Sequence, residues 1–143
     1  MKKLILFFLV FFVFIGFSFS QDSMFFSVSI WGDANKIERN ENGCLYPKVE
    51  IIVPIDEIFI IRAGVSFYED FFLGGEIQAK KDIIKNFCYF AAGGGAEFNF
   101  DEKKVIANFC FSFLIKISEN IFIDTSMKWS FDKKYYFGCG LWF

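Results

Sequence analysis

The chain has 143 residues, a length that suits one domain. It is 55% hydrophobic and 22% aromatic, with 24 phenylalanines, more apolar surface than a soluble domain of this size readily hides. A net charge of −2 without a basic block argues against nucleic acid as a partner, and the absence of histidine removes Ser-His and Asp-His catalysis and the commonest metal ligand.

Residues 1–20 read as a cleaved signal peptide. Lys2 and Lys3 are followed by an apolar run, Leu4 to Phe17, broken only by Gly16. Ser18 and Ser20 then place small residues where a signal peptidase reads, so cleavage is expected before Gln21. The run is short for a membrane helix of about 20 residues. The first cysteine, Cys44, lies too far along for a lipoprotein signal. Loss of Lys2 and Lys3 takes the net charge from −2 to −4 and leaves residues 21–143 as one domain.

That domain alternates with a period of two. The first strand is predicted over about Met24 to Trp31, followed by a polar loop from Gly32 to Gly43. The second spans about Tyr46 to Val53, with Pro47 near its start, where proline is tolerated. Pro54 to Glu57 turns the chain. The third strand spans about Ile58 to Tyr68 and the fourth about Phe71 to Ala79, with a charged connection from Lys80 to Asn86. The fifth is expected over Phe87–Phe100, the sixth over Val105–Ile117, the seventh over Ile121–Ser130 and the eighth over Tyr135–Phe143. Short charged turns join them as successive hairpins. The fold class expected is all-β: a closed, antiparallel, up-and-down barrel of eight strands.

Residue types say which face is outside. One face of every strand is almost wholly large and apolar, as in Phe109, Phe111 and Phe113. The other mixes Ser, Gly and Asn with charges, and glycines 64, 74, 93, 95, 138 and 140 all fall on it. A soluble barrel is apolar inside and polar outside, whereas a membrane barrel inverts this. The narrow interior of eight strands needs small and paired residues. The mixed face carries Lys48, Arg62, Lys116 and Lys128 against Glu50, Glu76, Glu97 and Asp124. Balanced charge is what a closed interior requires, because an unpaired buried charge is costly. Assuming three-residue hairpin loops, Glu50 lies across from Arg62, Glu76 lies diagonal to Arg62, and Lys116 lies across from Asp124. Cys88 and Cys139 point outward from strands that are not neighbours, Cys110 points inward and Cys44 lies in a loop, so no disulfide is expected.

The last eight residues, Tyr136-Phe137-Gly138-Cys139-Gly140-Leu141-Trp142-Phe143, resemble the C-terminal signature of bacterial outer-membrane barrels. Tyr136 stands at its polar position, Gly138 at its glycine, Leu141 at its hydrophobic position and Phe143 at its terminal aromatic. In size and layout the chain is similar to the small family of OmpX-like proteins and OmpA transmembrane domains. The resemblance implies export through the inner membrane, recognition of the last strand by the barrel-assembly machinery and residence among outer-membrane lipids. It also implies periplasmic termini, with Gly32–Gly43, Glu69–Asp70, Asp101–Lys104 and Phe131–Lys134 facing away from the cell. Trp31, Tyr46, Tyr68, Trp129 and Tyr135 would then lie near the outer rim as an aromatic girdle.

No catalytic constellation, cofactor or metal is expected. Glu50 and Glu76 flanking Arg62 read as a salt-bridge cluster. Gly93-Gly94-Gly95 is not followed by the helix and Lys-Ser/Thr of a phosphate loop. Asp33, Glu38 and Glu41 match no calcium-loop spacing. The expected role is a structural or surface-exposed barrel with a filled lumen. The alternatives are a minor pore, an adhesin acting through residues 32–43, or a soluble lipocalin-like barrel.

Overall fold

The structure, a computed structural model, describes residues 24–39, 41, 44–67 and 70–143. The expected signal peptide and Tyr68 lie outside these residues. Eight strands form: β1 (Phe25–Asp33), β2 (Leu45–Pro54), β3 (Phe59–Phe67), β4 (Phe71–Ile84), β5 (Cys88–Asn99), β6 (Lys104–Ser118), β7 (Ile121–Ser130) and β8 (Lys134–Trp142). Each pairs antiparallel with its neighbours in sequence, and β8 pairs back onto β1. The sheet is therefore a closed up-and-down barrel, as expected, with no unpaired edge strand to manage.

Register-paired residues can be followed round the barrel. From Asp82 on β4 the path runs through Tyr89, Leu114, Asp124, Gly140, Ser29, Lys48 and Ser66, and returns to β4 at Phe72. The return is ten residues from the start, a stagger that inclines the strands by roughly 40° to the barrel axis.

The faces fall as the alternation predicts. Phe109, Phe113, Ile77, Phe137 and Leu141 are exposed on the outside, whereas Ser27, Lys48, Arg62, Gln78, Ser112 and Asp124 are buried inside. Outer rings pack edge-on or tilted against one another, such as Phe109 with Phe111 at 5.0 Å and Phe90 with Phe113 at 5.2 Å between centroids.

Several boundaries differ from expectation. The region from Gly32 to Gly43 is not all loop. Gly32 and Asp33 continue β1, and residues Ala34–Glu38 form a short helix, α1. The Asp33 carboxylate accepts from the backbone N–H groups of Asn35 (2.9 Å) and Lys36 (3.3 Å), capping it. The Lys80–Asn86 connection is mostly strand: β4 runs on to Ile84 beside β5, with a bulge between Asp82 and Ile84. The polar run Lys80-Lys81-Asp82 interrupts the alternation but not the backbone ladder.

Two hairpin loops have other lengths than assumed. Pro54 pairs with Ile60, so five residues separate the closing pair: a four-residue loop, Ile55 to Ile58, and Phe59 at the start of β3. The Asp56 carboxylate accepts from the N–H groups of Ile58 (2.7 Å) and Phe59 (2.6 Å), which stabilises that longer loop. The β6–β7 hairpin closes at Ser118 and Ile121 with a register shift behind it. The β3–β4 loop holds three residues, but Phe67 pairs with Phe71, one position earlier than assumed.

The girdle expectation is corrected at two positions. Trp31 (1% exposed) and Tyr46 (4%) point into the lumen rather than out at the rim. Trp31 shares the inward parity of Ser27 and Ser29. Trp129 and Tyr135 are exposed on the outside.

Candidate functional site

The lumen is filled in three layers. Nearest the end where Phe25 and Phe143 lie is an apolar floor of Ile52, Ile60, Ala91, Leu114 and Trp142. Phe25, Tyr89 and Phe122 pack against it, with Phe25 edge-on to Phe122 at 5.5 Å. At the loop end, Trp31, Tyr46, Cys110 and Tyr136 form a second cluster, with Tyr46 edge-on to Tyr136 at 6.0 Å. The charges lie between them.

Arg62 on β3 is the centre of the lower charges. Its Nη2 contacts Glu50 Oε2 at 2.6 Å and Asp124 Oδ2 at 2.8 Å, and its Nη1 donates to Ser112 Oγ at 3.1 Å. The planar guanidinium suits two carboxylates approaching from opposite walls. Lys48 Nζ lies 2.9 Å from Glu50, 3.3 Å from Glu76 and 3.9 Å from Glu97. Lys128 pairs with Glu97 at 2.6 Å. The network crosses the lumen from β2 and β3 to β7, and so ties distant strands together.

Seven of the eight predicted lumen charges therefore meet: Lys48, Glu50, Arg62, Glu76, Glu97, Asp124 and Lys128 are each at most 8% exposed. Lys116 does not join them. It is paired in register with Phe122, is half-buried at the rim beyond the apolar floor, and forms no ion pair among the described residues. Asp124 instead lies opposite Leu114 and is reached by Arg62 across the lumen. The other two predicted pairings are also corrected. Glu50 faces Gly64 and reaches Arg62 diagonally, whereas Arg62 faces Glu76 directly.

The buried set then holds four acids against three bases. Neutral donors offset the surplus. Trp142 Nε1–H donates to Asp124 Oδ2 (3.0 Å), Ser126 Oγ donates to Asp124 Oδ1 (2.5 Å), and Gln78 Nε2 donates to Glu76 Oε2 (2.9 Å). Hydrogen bonds to charged acceptors are among the strong ones. Ser112 and Ser126 complete the set at 2.8 Å from each other.

Aromatic rings hold the cations from the side. Lys48 and Lys128 lie 5.0 and 5.2 Å from the Trp31 ring, Lys128 lies 5.0 Å from Tyr136, and Arg62 lies 5.4 Å from Trp142. Trp31, Trp142, Gln78, Ser112 and Ser126 were not singled out as site residues by sequence. Their inward parity on β1, β8, β4, β6 and β7 was the available signal.

Above the Trp31 layer is a depression lined by residues that include Tyr46, Ser66, Glu97 and Tyr136, with room for about one ordered water. Among the described residues no group of Cys, Asp or Glu side chains could hold a metal ion. All four cysteines are free. Of the terminal signature, Tyr136 and Gly138 face the lumen, whereas Leu141 and Phe143 are exposed on the outside.

No family model matches the chain, and no curated protein matches it. Solved structures resemble its fold. A protein from work on de novo design of transmembrane β-barrels superimposes with a TM-score of 0.72 at 10% identity, covering 85% of this chain and 93% of its own. The solution structure of the de novo designed TMB2.3 gives a TM-score of 0.66 at 14% identity, covering 86% and 96%. Ail, the attachment invasion locus protein of Yersinia pestis, gives 0.42 at 13% identity, covering 84% and 93%. The chain thus shares the closed eight-stranded fold of transmembrane β-barrels.

Proposed function

We propose that this chain is a small bacterial outer-membrane barrel with a structural or surface-exposed role, neither an enzyme nor an open channel. One observation carries the reading: an apolar exterior surrounds a closed interior in which seven charged side chains form one network. That distribution is the inverse of a soluble barrel and matches hydrocarbon outside. The reading includes export by a signal peptide, assembly through β8 by the barrel-assembly machinery, and outer-membrane lipid as solvent. The packed lumen favours a plugged barrel over a pore, since floor, network and Trp31 layer fill an interior that eight strands already make narrow. The test is fractionation of expressing cells followed by an unheated-versus-boiled gel, with planar-bilayer recording of the purified protein. Outer-membrane recovery, heat-dependent migration and no conductance steps are expected. A soluble monomer without detergent would overturn the reading, and regular conductance steps would overturn the plugged lumen.

A further inference from the structure

The β4–β5 hairpin carries charge of a kind found nowhere else on the outer wall. Among the described residues, Lys81 is the sole charged side chain on the outward parity of any strand, in register with Phe90. Register pairing of β3 with β4 ends at Phe59 and Ala79, so the hairpin tip projects past its β3 neighbour. The tip turns through Asn86, whose φ of 59° is left-handed, with the Phe87 N–H donating to the Ile84 carbonyl at 3.0 Å. Lys81 and Lys85 are exposed, and so are Ile83 (55%), Ile84 (55%) and Phe87 (50%). Lys80 Nζ leans over the Tyr89 ring at 5.1 Å. No ion pair neutralises these lysines among the described residues. At the opposite end, by contrast, lysines stand beside acids, as in Lys134 with Asp132 at 3.9 Å.

Exposed aliphatic and aromatic groups interleaved with unneutralised lysines suit a membrane interface. The apolar groups enter the acyl boundary, and the ammoniums stay at phosphate level. On the reading that the barrel spans a membrane, we infer that this hairpin docks on anionic phospholipid headgroups of the leaflet at the strand-terminus end, with Lys81 and Lys85 contacting lipid phosphates. Charge complementarity selects this occupant: the hairpin's three lysines outnumber its one acid, Asp82.

The full chain would be reconstituted into vesicles of phosphatidylcholine alone and into an equal mixture with phosphatidylglycerol, and urea unfolding followed in each. The wild-type unfolding constant is expected to be on the order of tenfold smaller in the anionic vesicles, a difference that shrinks at high salt. A K81Q/K85Q double variant should lose that preference while keeping its stability in phosphatidylcholine. A K103Q/K104Q variant, altered at the other end, should retain it. A wild type indifferent to lipid charge, or a K81Q/K85Q variant with the full preference, overturns the inference. Failure of the wild type to float with either vesicle would instead overturn the membrane reading beneath it.

Discussion

Gly138 on β8 lies directly beneath the indole of Trp31, its cross-strand partner on β1. A Cβ at position 138 would overlap ring atoms Cδ2, Cε2 and Cζ2. The ring cannot easily give way, because its Nε1–H is held by Ser29 Oγ at 2.9 Å and the Lys48 and Lys128 ammoniums lie over it at 5.0 and 5.2 Å from its centroid. Gly138→Ala should therefore destabilise the barrel by about 1–3 kcal/mol through overpacking. Gly75 provides the control. It faces outward, and the nearest atom to an added Cβ is the Arg62 carbonyl oxygen at 3.5 Å. Gly75→Ala should change stability by no more than about 0.5 kcal/mol. Urea unfolding midpoints in lipid vesicles check both.

Arg62 holds Glu50 and Asp124 on opposite sides of the lumen. Removing it leaves two buried carboxylates with one cation fewer. Arg62→Gln should cost about 3–5 kcal/mol, the range for breaking one side of a buried pair. Adding Glu50→Gln removes one of the stranded charges and should recover a measurable part of that loss, although Glu50→Gln alone is destabilising. A double-mutant cycle from unfolding curves measures the coupling. A double variant no more stable than Arg62→Gln would show that the pair is not energetically linked.

The lumen charges were legible because alternation assigns faces, and a shift of register by two residues leaves every face unchanged. The same fact hides the partners. The Asp56-capped loop, longer than assumed, moves Glu50 from opposite Arg62 to diagonal without altering which way either points. Lys116 is the case where parity misleads, since it shares the inward parity of Leu114 and Ser112 yet sits past the apolar floor. Trp31 is the reverse: parity placed it inside, but a large aromatic near a strand end resembles a girdle residue. The corrected placement of Lys116 is testable. Lys116→Gln should lie within about 0.5 kcal/mol of wild type, as at a site without a buried partner. Lys128→Gln, which leaves Glu97 with only the longer 3.9 Å contact to Lys48, should cost about 3–5 kcal/mol in the same unfolding assay.

Two loop-end hairpins turn through lysines in the left-handed region, Lys103 at φ 53° and Lys133 at φ 67°. Lys133 closes a tight turn in which its N–H donates to the Ser130 carbonyl at 2.9 Å. An L-residue with a Cβ pays roughly 1–2 kcal/mol for that conformation, and glycine avoids it at a smaller entropic cost. Lys133→Gly and Lys103→Gly should each stabilise the barrel by about 0.5–1 kcal/mol. Asn86→Gly should gain less, because asparagine tolerates this region. The ranking of the three midpoints is the check.

Leu114 sits in the floor against Ile52, Ile60, Ala91 and Trp142, 1% exposed, with Asp124 opposite it on β7. The floor separates the charge network from the strand-terminus end, and the network's strength depends on water being kept out. Leu114→Ala removes buried volume that the closed sheet cannot collapse to fill, at a cost of about 2–5 kcal/mol. The cavity would lie next to the Asp124 carboxylate, which accepts at 3.0 Å from the Nε1–H of Trp142, itself a floor residue. Water entering there should weaken that bond, so acrylamide quenching of the slow-accessible tryptophan fluorescence should rise in Leu114→Ala. An outer-face substitution of similar size, Leu141→Ala, leaves the floor intact and should not raise it. Equal quenching in wild type and Leu114→Ala would show that the floor does not exclude water.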